Sequence, residues 1–430
     1  MEANKKVCVI GAGPSGITAA KNLLDHSFEV TVYDYGKDVG GNWIFNEESS
    51  HSSVFETTHI ISSKSLSQYD DFPLPAHYPD YPSHQQLAEY FQHYARHFKL
   101  YEHIQFNTLV EKCVLDASKK WLVTTITNGI KKTEMFDALA VCNGHHWKPR
   151  YPEYPGTFTG KQMHSHDVKK FSVFSDQRVL VIGGGNSACD VAVESSRFSK
   201  STDISWRRGY WVVPKFIFGK PSDTVGGLLR FLPTAIWRKS TSLMIKVLQG
   251  RNSMYGLPEP EDDFGFHHPT VNSELFYFLR HGKITPRPDI DHYDGSTVVF
   301  KDGKESEYDV IVACTGYHLS HPFFDSTFID YSQGEVPLYL RMLHPEIENL
   351  YFIGLFQPLG CIWPGSELQS KIMANELAGK WKRPVNIAQR ALREIQHPDF
   401  NQIKTPRHTI TVNYHAFRKR LLKELNKVSG

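Results

Sequence analysis

The sequence predicts an α/β protein of two three-layer domains, each opening on a strand, a Gly-rich turn, a helix and a second strand. Two observations carry that prediction: the unit occurs at residues 6–34 and returns at 178–206. A strand–helix–strand opening favours a parallel sheet. The third observation is length, because 430 residues exceed one ordinary core and suggest two or three packed domains.

In chain order, the first strand is Val7-Cys8-Val9-Ile10 and the turn is Gly11-Ala12-Gly13-Pro14-Ser15-Gly16. Ile17, Ala20 and Leu23–Leu24 then share one face of a helix, and residues 28–33 form the next strand. Residues 42–82 are rich in Ser, Asp, Tyr and Pro without periodicity and read as a long loop. A helix over 83–98 opens on a capping box, Ser83 with Gln86, and its buried stripe is Leu87, Tyr90, Tyr94 and Phe98. Residues 104–142 read as a β-meander ending in Ala138-Leu139-Ala140-Val141-Cys142. The opening unit then repeats, with a strand at 178–182, the turn Gly183-Gly184-Gly185-Asn186-Ser187-Ala188, a helix from Ala188 and a strand at 203–206. A Pro-rich, aromatic insertion occupies 209–285, strand runs come after it at 297–300, 310–314 and 350–353, and the tail is helical. The expected boundaries are a larger domain of two segments, 1–170 and 285–430, with a smaller domain of 171–284 inserted between them.

Composition excludes several classes. Hydrophobic residues make up 40% and charged residues 22%, a soluble globular balance. The net charge of +2 offers no concentrated basic face for a nucleic acid. Cys8, Cys113, Cys142, Cys189, Cys314 and Cys361 form no CxxC pair, so neither a redox dithiol nor a zinc knuckle is readable, and the chain reads as reduced and cytoplasmic. The pairs His145–His146 and His267–His268 lack a nearby Cys or a His one helical turn away, which argues against a metal site. The apolar run that starts at Val7 leaves no signal peptide before it, and no stretch reaches the roughly 18 apolar residues of a membrane span. Residues 225–248 and the basic tail 414–427, with Phe417, Leu421, Leu422 and Leu425 at helical spacing, have the composition of peripheral membrane contacts. They read better as helices over a cleft or a homodimer surface.

The two turns differ in the residue type at the end of the next strand. Gly11, Gly13 and Gly16 sit between a strand and a helix, and Asp34 ends the second strand about 20 residues on. Glycines let backbone N–H groups and a helix N-terminus meet a pyrophosphate, and a carboxylate accepts hydrogen bonds from ribose hydroxyls. Gly183, Gly185 and Ala188 repeat the pattern, but the second strand now ends in Arg207 and Arg208. A carboxylate there would repel a 2′-phosphate, whereas a guanidinium pairs with it bidentately. The first turn is therefore expected to hold a nucleotide with a free 2′-hydroxyl and the second to prefer NADPH. The usual acceptor for a nicotinamide hydride in such a chain is a flavin, which makes the first ligand FAD. Both domains are dinucleotide-binding and Rossmann-like, the NADPH domain inserted into the FAD domain.

At these residues the chain resembles the flavin-containing monooxygenases, over about 7–379. The motifs are GAGPSG at 11–16, GGNW at 40–43, DFPLP at 71–75, CNGHH at 142–146, GGGNSACD at 183–190, PTVN at 269–272, ACTGY at 313–317, FIGLFQPLG at 352–360 and SELQ at 366–369. The family fingerprint FxGxxxHxxx, with Tyr or Phe after it, is matched by Phe158, Gly160 and His164, and departs at Val168. Ile61 stands where many members carry a flavin-facing Asn, with Ser62 and Ser63 as its substitutes.

The resemblance implies that NADPH reduces the flavin, that O2 then forms a C4a-hydroperoxide, and that a soft amine or sulfide attacks its outer oxygen. It also implies a homodimer. The expected FAD residues are Gly11, Gly13, Ser15, Gly16 and Asp34, with Gly41, Asn42 and Trp43 near the flavin and Gln357 and Leu359 at its ring end. The expected NADPH residues are Gly183, Gly185, Asn186, Ser187, Arg207 and Arg208. Three alternatives stay open: a Baeyer–Villiger enzyme acting on ketones, an NADPH oxidase without oxygen transfer, and a non-enzymatic FAD-holding sensor.

Overall fold

The computed structural model describes residues 5–48, 51–225, 233–325, 328, 335–398 and 410–428. Its contacts divide the chain into two compact units, Met1–Phe45 with Thr57–His146 and Leu319–Gly430, and Asn46–Glu56 with Trp147–His318. The second unit thus takes in Asn46–Glu56 and the run Trp147–His318, where the expected segment is 171–284. Strand pairing is the reason. Val310–Ala313 bonds to Arg178–Ile182, and Lys161–His164 bonds to Val310–Ala313, so both belong to the inserted sheet.

The first unit is built on five parallel strands in the order Leu350–Phe352, Ala138–Val141, Lys6–Ile10, Glu29–Tyr33, Ile104–Gln105. Side chains alternate across a strand. Val7 and Val9 enter a core with Ile17, Leu23, Leu87, Tyr90, Leu368 and Ile372, from the helices Pro14–Leu24, His84–His97 and Trp363–Leu377. Cys8 and Ile10 enter a second core with Val110, Trp121, Val123 and Phe136. These come from the antiparallel strands Thr108–Leu115, Trp121–Thr127 and Ile130–Phe136. Covering on both faces explains the uninterrupted apolar run. It also corrects one expectation: Ala138–Val141, buried at all four positions, joins the parallel sheet and not the meander.

The expected capping box forms, with Ser83 Oγ accepting from Gln86 N at 3.3 Å and Gln86 Oε1 accepting from Ser83 N at 3.0 Å. The basic tail is the helix Tyr414–Leu425, whose Phe417 and Leu421 are buried in the first unit's own core, with Leu422 and Leu425 packed against it.

The second unit repeats the plan. Its parallel strands run in the order Ile284–Arg287, Ser201–Ser205, Arg178–Ile182, Val310–Ala313, Lys161–His164. Val179 and Val181 meet the helix Asn186–Ser195 through Ala188, Val191 and Ala192. Leu180 and Ile182 meet Ile290, Tyr293, Val298 and Phe300 of an antiparallel layer. The insertion contributes the helix Thr234–Gln249, which buries Thr241, Ser242 and Ile245. Residues 226–232 of the apolar 225–248 segment lie outside the described residues. Among the described residues, no helix is long and apolar enough to cross a membrane.

Replacing Ser83 by Ala removes the side-chain acceptor of the capping box and should cost about 1 kcal/mol of stability. Ser83→Asp, which keeps an acceptor, should restore most of it. Denaturant unfolding of the two variants beside the parent checks both expectations.

Candidate functional site

The two turns have the same backbone construction. Gly11 has φ +104° and Gly183 φ +130°, conformations that favour glycine. A Cβ on Gly11 would lie 2.7 Å from the Cys142 carbonyl oxygen, and one on Gly183 would lie 2.6 Å from that of Cys314. Gly11 N donates to Tyr33 O at 2.8 Å, and Gly183 N to Ser205 O at 3.1 Å. The helices after the turns, Pro14–Leu24 and Asn186–Ser195, start on Gly13 and Gly185, and neither N-cap makes a side-chain hydrogen bond. Each helix N-terminus is thus left with donors and a positive dipole end for an anion.

Around the first turn, a Cβ on Gly16 would fall 1.8 Å from Gly11 O, so the helix closes directly on the glycine. Asp34 Oδ2 accepts from Ala12 N at 2.5 Å and Oδ1 from Gly36 N at 2.6 Å. The expected carboxylate is therefore in place, and it also braces the turn. Gly40 N donates to Ala12 O at 3.2 Å, and a Cβ on Gly41 would lie 2.9 Å from Gly13 Cα. That contact lays the short helix Gly41–Trp43 on the turn, with Asn42 half-buried. Trp43 stands edge-on to Trp363 at 5.7 Å between ring centroids.

Three contacts bring distant segments to this turn. Ser15 Oγ lies 2.9 Å from Ser366 Oγ, a Cβ on Gly354 would fall 2.2 Å from Ser15 Oγ, and Tyr69 donates its hydroxyl to Pro14 O at 2.6 Å. Sequence reasoning singles out none of Tyr69, Gly354 and Ser366 as site residues. Only the FIGLFQPLG and SELQ motifs signal the last two.

Gln357 N donates to Ile410 O at 2.7 Å, and Gln357 Oε1 lies 3.2 Å from His145 Nε2. Burial holds the His145 pKa below its ordinary value, against the pull of that bond. Leu359 is half-buried in the same segment. Ser62 and Ser63 are buried, with Ser62 Oγ 2.8 Å from Ser67 Oγ and Ser63 Oγ 3.1 Å from Ser65 Oγ. Their hydroxyls pair within their own segment, beside a half-buried Ile61.

Around the second turn, a Cβ on Gly184 would lie 2.3 Å from the Tyr210 ring. Ala188, at the third position of the motif, is buried, and Ser187 is exposed. Arg207 is exposed, and the Arg208 guanidinium sits 5.5 Å from the Tyr210 ring centroid. Neither arginine has a carboxylate partner among the described residues. Arg150 lies between motifs, and nothing in the sequence marks it. Its Nε and Nη2 donate to Thr315 O at 3.0 and 2.6 Å. Burial, and then the charge of Arg207, hold its pKa below the ordinary guanidinium value. Guanidinium groups at a strand end with no ion-pair partner among the described residues fit a phosphate. Of the fingerprint residues, Phe158 packs against Gly160, Val168 lies in the core of the second unit, and burial pushes His164 down to about 4.

Comparisons with known proteins bear on the family and the fold. The family model described as flavin-binding monooxygenase-like matches residues 4–427. Flavin-containing monooxygenase 5 of Rattus norvegicus is 34% identical over 403 residues, covering 89% of this chain and 75% of that protein. Flavin-containing monooxygenase 2 of Homo sapiens is 35% identical over 399 residues, covering 88% and 74%. Among solved structures, the S-allyl-L-cysteine S-oxygenase from Allium sativum is similar at a TM-score of 0.73 and 23% identity, over 99% of this chain and 89% of that one. An oxidised steroid monooxygenase bound to NADP is similar at 0.77 and 16%, over 100% of both chains. At such identities these two likenesses speak to fold.

Gly183→Ala should weaken NADP+ binding by more than about tenfold. The added methyl meets the Cys314 carbonyl in a backbone conformation that already costs about 1 kcal/mol or more. Equilibrium titration with NADP+ checks this.

Proposed function

The chain belongs to the flavin-binding monooxygenase-like family, and from that premise we propose that it is an NADPH- and O2-dependent enzyme that oxygenates soft nucleophiles, an amine nitrogen or a sulfide sulfur. The observation that carries this reading is opposite charge at equivalent strand ends. Asp34 comes after the first unit's second strand and Arg207 and Arg208 after the second unit's, beside two turns of one construction. FAD binds at Gly11, Gly13, Ser15, Gly16 and Asp34, with Gly41, Asn42, Trp43, Gln357 and Leu359 toward its ring. NADPH binds at Gly183, Gly185, Asn186, Ser187, Arg207 and Arg208.

When bound, FAD supplies the activation of O2, using two electrons from NADPH. Overall, substrate, NADPH, H+ and O2 give oxygenated substrate, NADP+ and water. The substrate brings the nucleophile, so the chain needs no nucleophilic side chain of its own. Its residues bind, orient and keep the reacting groups dry. Ser62 and Ser63, already hydrogen-bonded to neighbouring serines, act as walls and not as bases. The His145 imidazole fixes the Gln357 carboxamide.

Nitrogen acceptance is supported by the name of a relative, a dimethylaniline monooxygenase (N-oxide-forming) of Pan troglodytes, 35% identical over 399 residues; sulfur, a soft nucleophile of the same kind, is included on its chemistry. Cyclohexanone monooxygenase shares the fold at a TM-score of 0.76 and 15% identity, so the ketone reading is tested alongside. The six free, buried cysteines support a reducing, cytoplasmic setting.

Two experiments test the proposal. NADPH should bleach the bound flavin anaerobically, and isotopically labelled O2 should put one labelled oxygen into methyl phenyl sulfide but not into cyclohexanone. Labelled lactone from the ketone would reverse the substrate assignment, and NADPH consumption without labelled product would indicate an oxidase. Charge reversal of Arg207 and Arg208 to Glu should raise the KM for NADPH about 10–100-fold, the loss expected of charge-assisted bonds, and leave the KM for NADH nearly unchanged. Steady-state kinetics with both coenzymes reads this out.

A further inference from the structure

The second turn needs a brace that the first obtains from its own strand end. In the first turn, Asp34 accepts the Ala12 N–H, so a carboxylate at the strand end steadies the turn. At the second strand end the residues are Arg207 and Arg208, and a guanidinium has no acceptor to offer. Gly184, the counterpart of Ala12, is held from elsewhere in the chain. The hydroxyl of Thr270, which is fully buried, donates to Gly184 O at 2.7 Å.

The next two residues continue the contact. Val271 N donates to Asn186 Oδ1 at 2.7 Å, and Asn272 Nδ2 donates to Asp190 Oδ1 at 2.8 Å. Asn186 opens the helix and Asp190 lies one turn on along the same face. Three consecutive residues therefore grip the turn, the first helical residue and the residue one turn beyond. The gripping strand is itself fixed. Thr270–Val271 pairs with Val212–Val213, Thr270 N donates to Trp211 O at 2.8 Å and Asn272 N to Val213 O at 3.0 Å. Asn272 Oδ1 accepts from Glu274 N at 2.9 Å and Leu275 N at 2.7 Å. Both ends of its carboxamide are occupied, which sets its orientation.

The consequence falls on Asn186. An amide whose oxygen already accepts leaves its nitrogen as the donor. That nitrogen stands at the start of a helix whose N-cap, Gly185, has no side chain to compete for the orphan N–H groups. We propose that Thr270 and Asn272 are positioning residues of the NADPH site, anchoring at Gly184 and Asp190 the strand whose Val271 N–H holds Asn186, so that Asn186 Nδ2 donates to a phosphate oxygen of the dinucleotide. The inference rests on the cofactor assignment above and adds residues whose contacts run through Gly184, Asn186 and Asp190.

The test is titration of the FAD-loaded enzyme with NADP+, beside steady-state kinetics with NADPH. Thr270→Val keeps the shape and removes the hydroxyl. It should raise the NADP+ Kd roughly tenfold, as loss of a buried hydrogen bond predicts, and raise the NADPH KM to match. At saturating NADPH, kcat should change by less than about twofold, the signature of lost binding and not of lost chemistry. Thr270→Ser, which restores the hydroxyl, should recover most of the affinity. In a double-mutant cycle, Thr270→Val should add little to Asn186→Ala, because both remove one device. Thr270→Val with parental NADP+ affinity, or full additivity in the cycle, overturns the proposal. Should Thr270→Val fail to fold, Asn272→Ala in a cycle with Asn186→Ala makes the same comparison, with the same two outcomes. A parent enzyme that binds no NADP+ would sink the cofactor assignment, whereas a parent that binds beside variants that bind equally well sinks only the brace.

Discussion

The structure depends on one backbone crossing, used twice. In the first unit Ile10 pairs with Val141, and Cys142 N then donates to Ile10 O at 2.9 Å. In the second, Ile182 pairs with Ala313, and Cys314 N donates to Ile182 O at 2.8 Å. That last rung brings the cysteine carbonyl over the residue that leaves the central strand. The space left there is too small for a Cβ, so the residue is glycine with positive φ, and the chain turns sharply into a helix. The helix N-terminus then faces outward beyond the strand ends. The anion binding proposed for each turn would follow from sheet register, and the register demands the glycine with positive φ at each turn.

Much of this was legible from local pattern, because the constraint is local. Strand, glycines and helix are contiguous at both turns, and the charge at 34 and at 207–208 lies one strand further on. The capping box at Ser83 is equally local. Contacts between distant residues were not legible. The apolar run Ala138–Val141 looks the same at the end of a meander as in the middle of a parallel sheet, and only pairing with Lys6–Ile10 decides. The inserted unit is larger than local pattern suggests for the same reason, since nothing in residues 161–164 or 310–313 announces that they pair with each other. Arg150 escapes sequence reasoning because a lone arginine has no pattern, and its place is set by the carbonyl of Thr315 that fixes it.

Packing around the first turn shows why its supporting residues are polar although buried. Ser366, Glu367, Gln369 and Ser370 are fully buried on the helix Trp363–Leu377. Buried polar groups are costly unless paired, and each of these has a partner. Ser366 meets Ser15, Glu367 accepts from Asp70 N at 2.8 Å, Gln369 accepts from Gly354 N at 2.9 Å and donates to Leu340 O at 2.9 Å, and Ser370 donates to Ser366 O at 2.7 Å. The helix therefore pins the returning segment at Gly354 against Ser15. An apolar helix would pack as well, but would leave the Gly354 N–H without its acceptor.

The two turns also expose a conflict between bracing and recognition. A carboxylate at the strand end can do both tasks when the ligand offers hydroxyl donors, because its two oxygens accept several hydrogen bonds at once, those from the Ala12 and Gly36 N–H groups among them. When the ligand offers a phosphate, the strand end must be cationic, and a cation accepts nothing. In the second turn the backbone is held instead by neutral donors from another strand. Thr270 and the Val271 N–H are those donors, a hydroxyl and a backbone amide, neither with a charge to set against Arg207 and Arg208. The only carboxylate in the brace, Asp190, sits one helical turn behind the phosphate end and is pushed up to about 6 by burial, with Glu194 and Glu274 adding to the effect against Lys215 and Asn272. Under the proposed assignment, the cationic strand end and the neutral PTVN strand share one turn, the first with charge for a phosphate and the second with the hydroxyl and amide that hold the backbone.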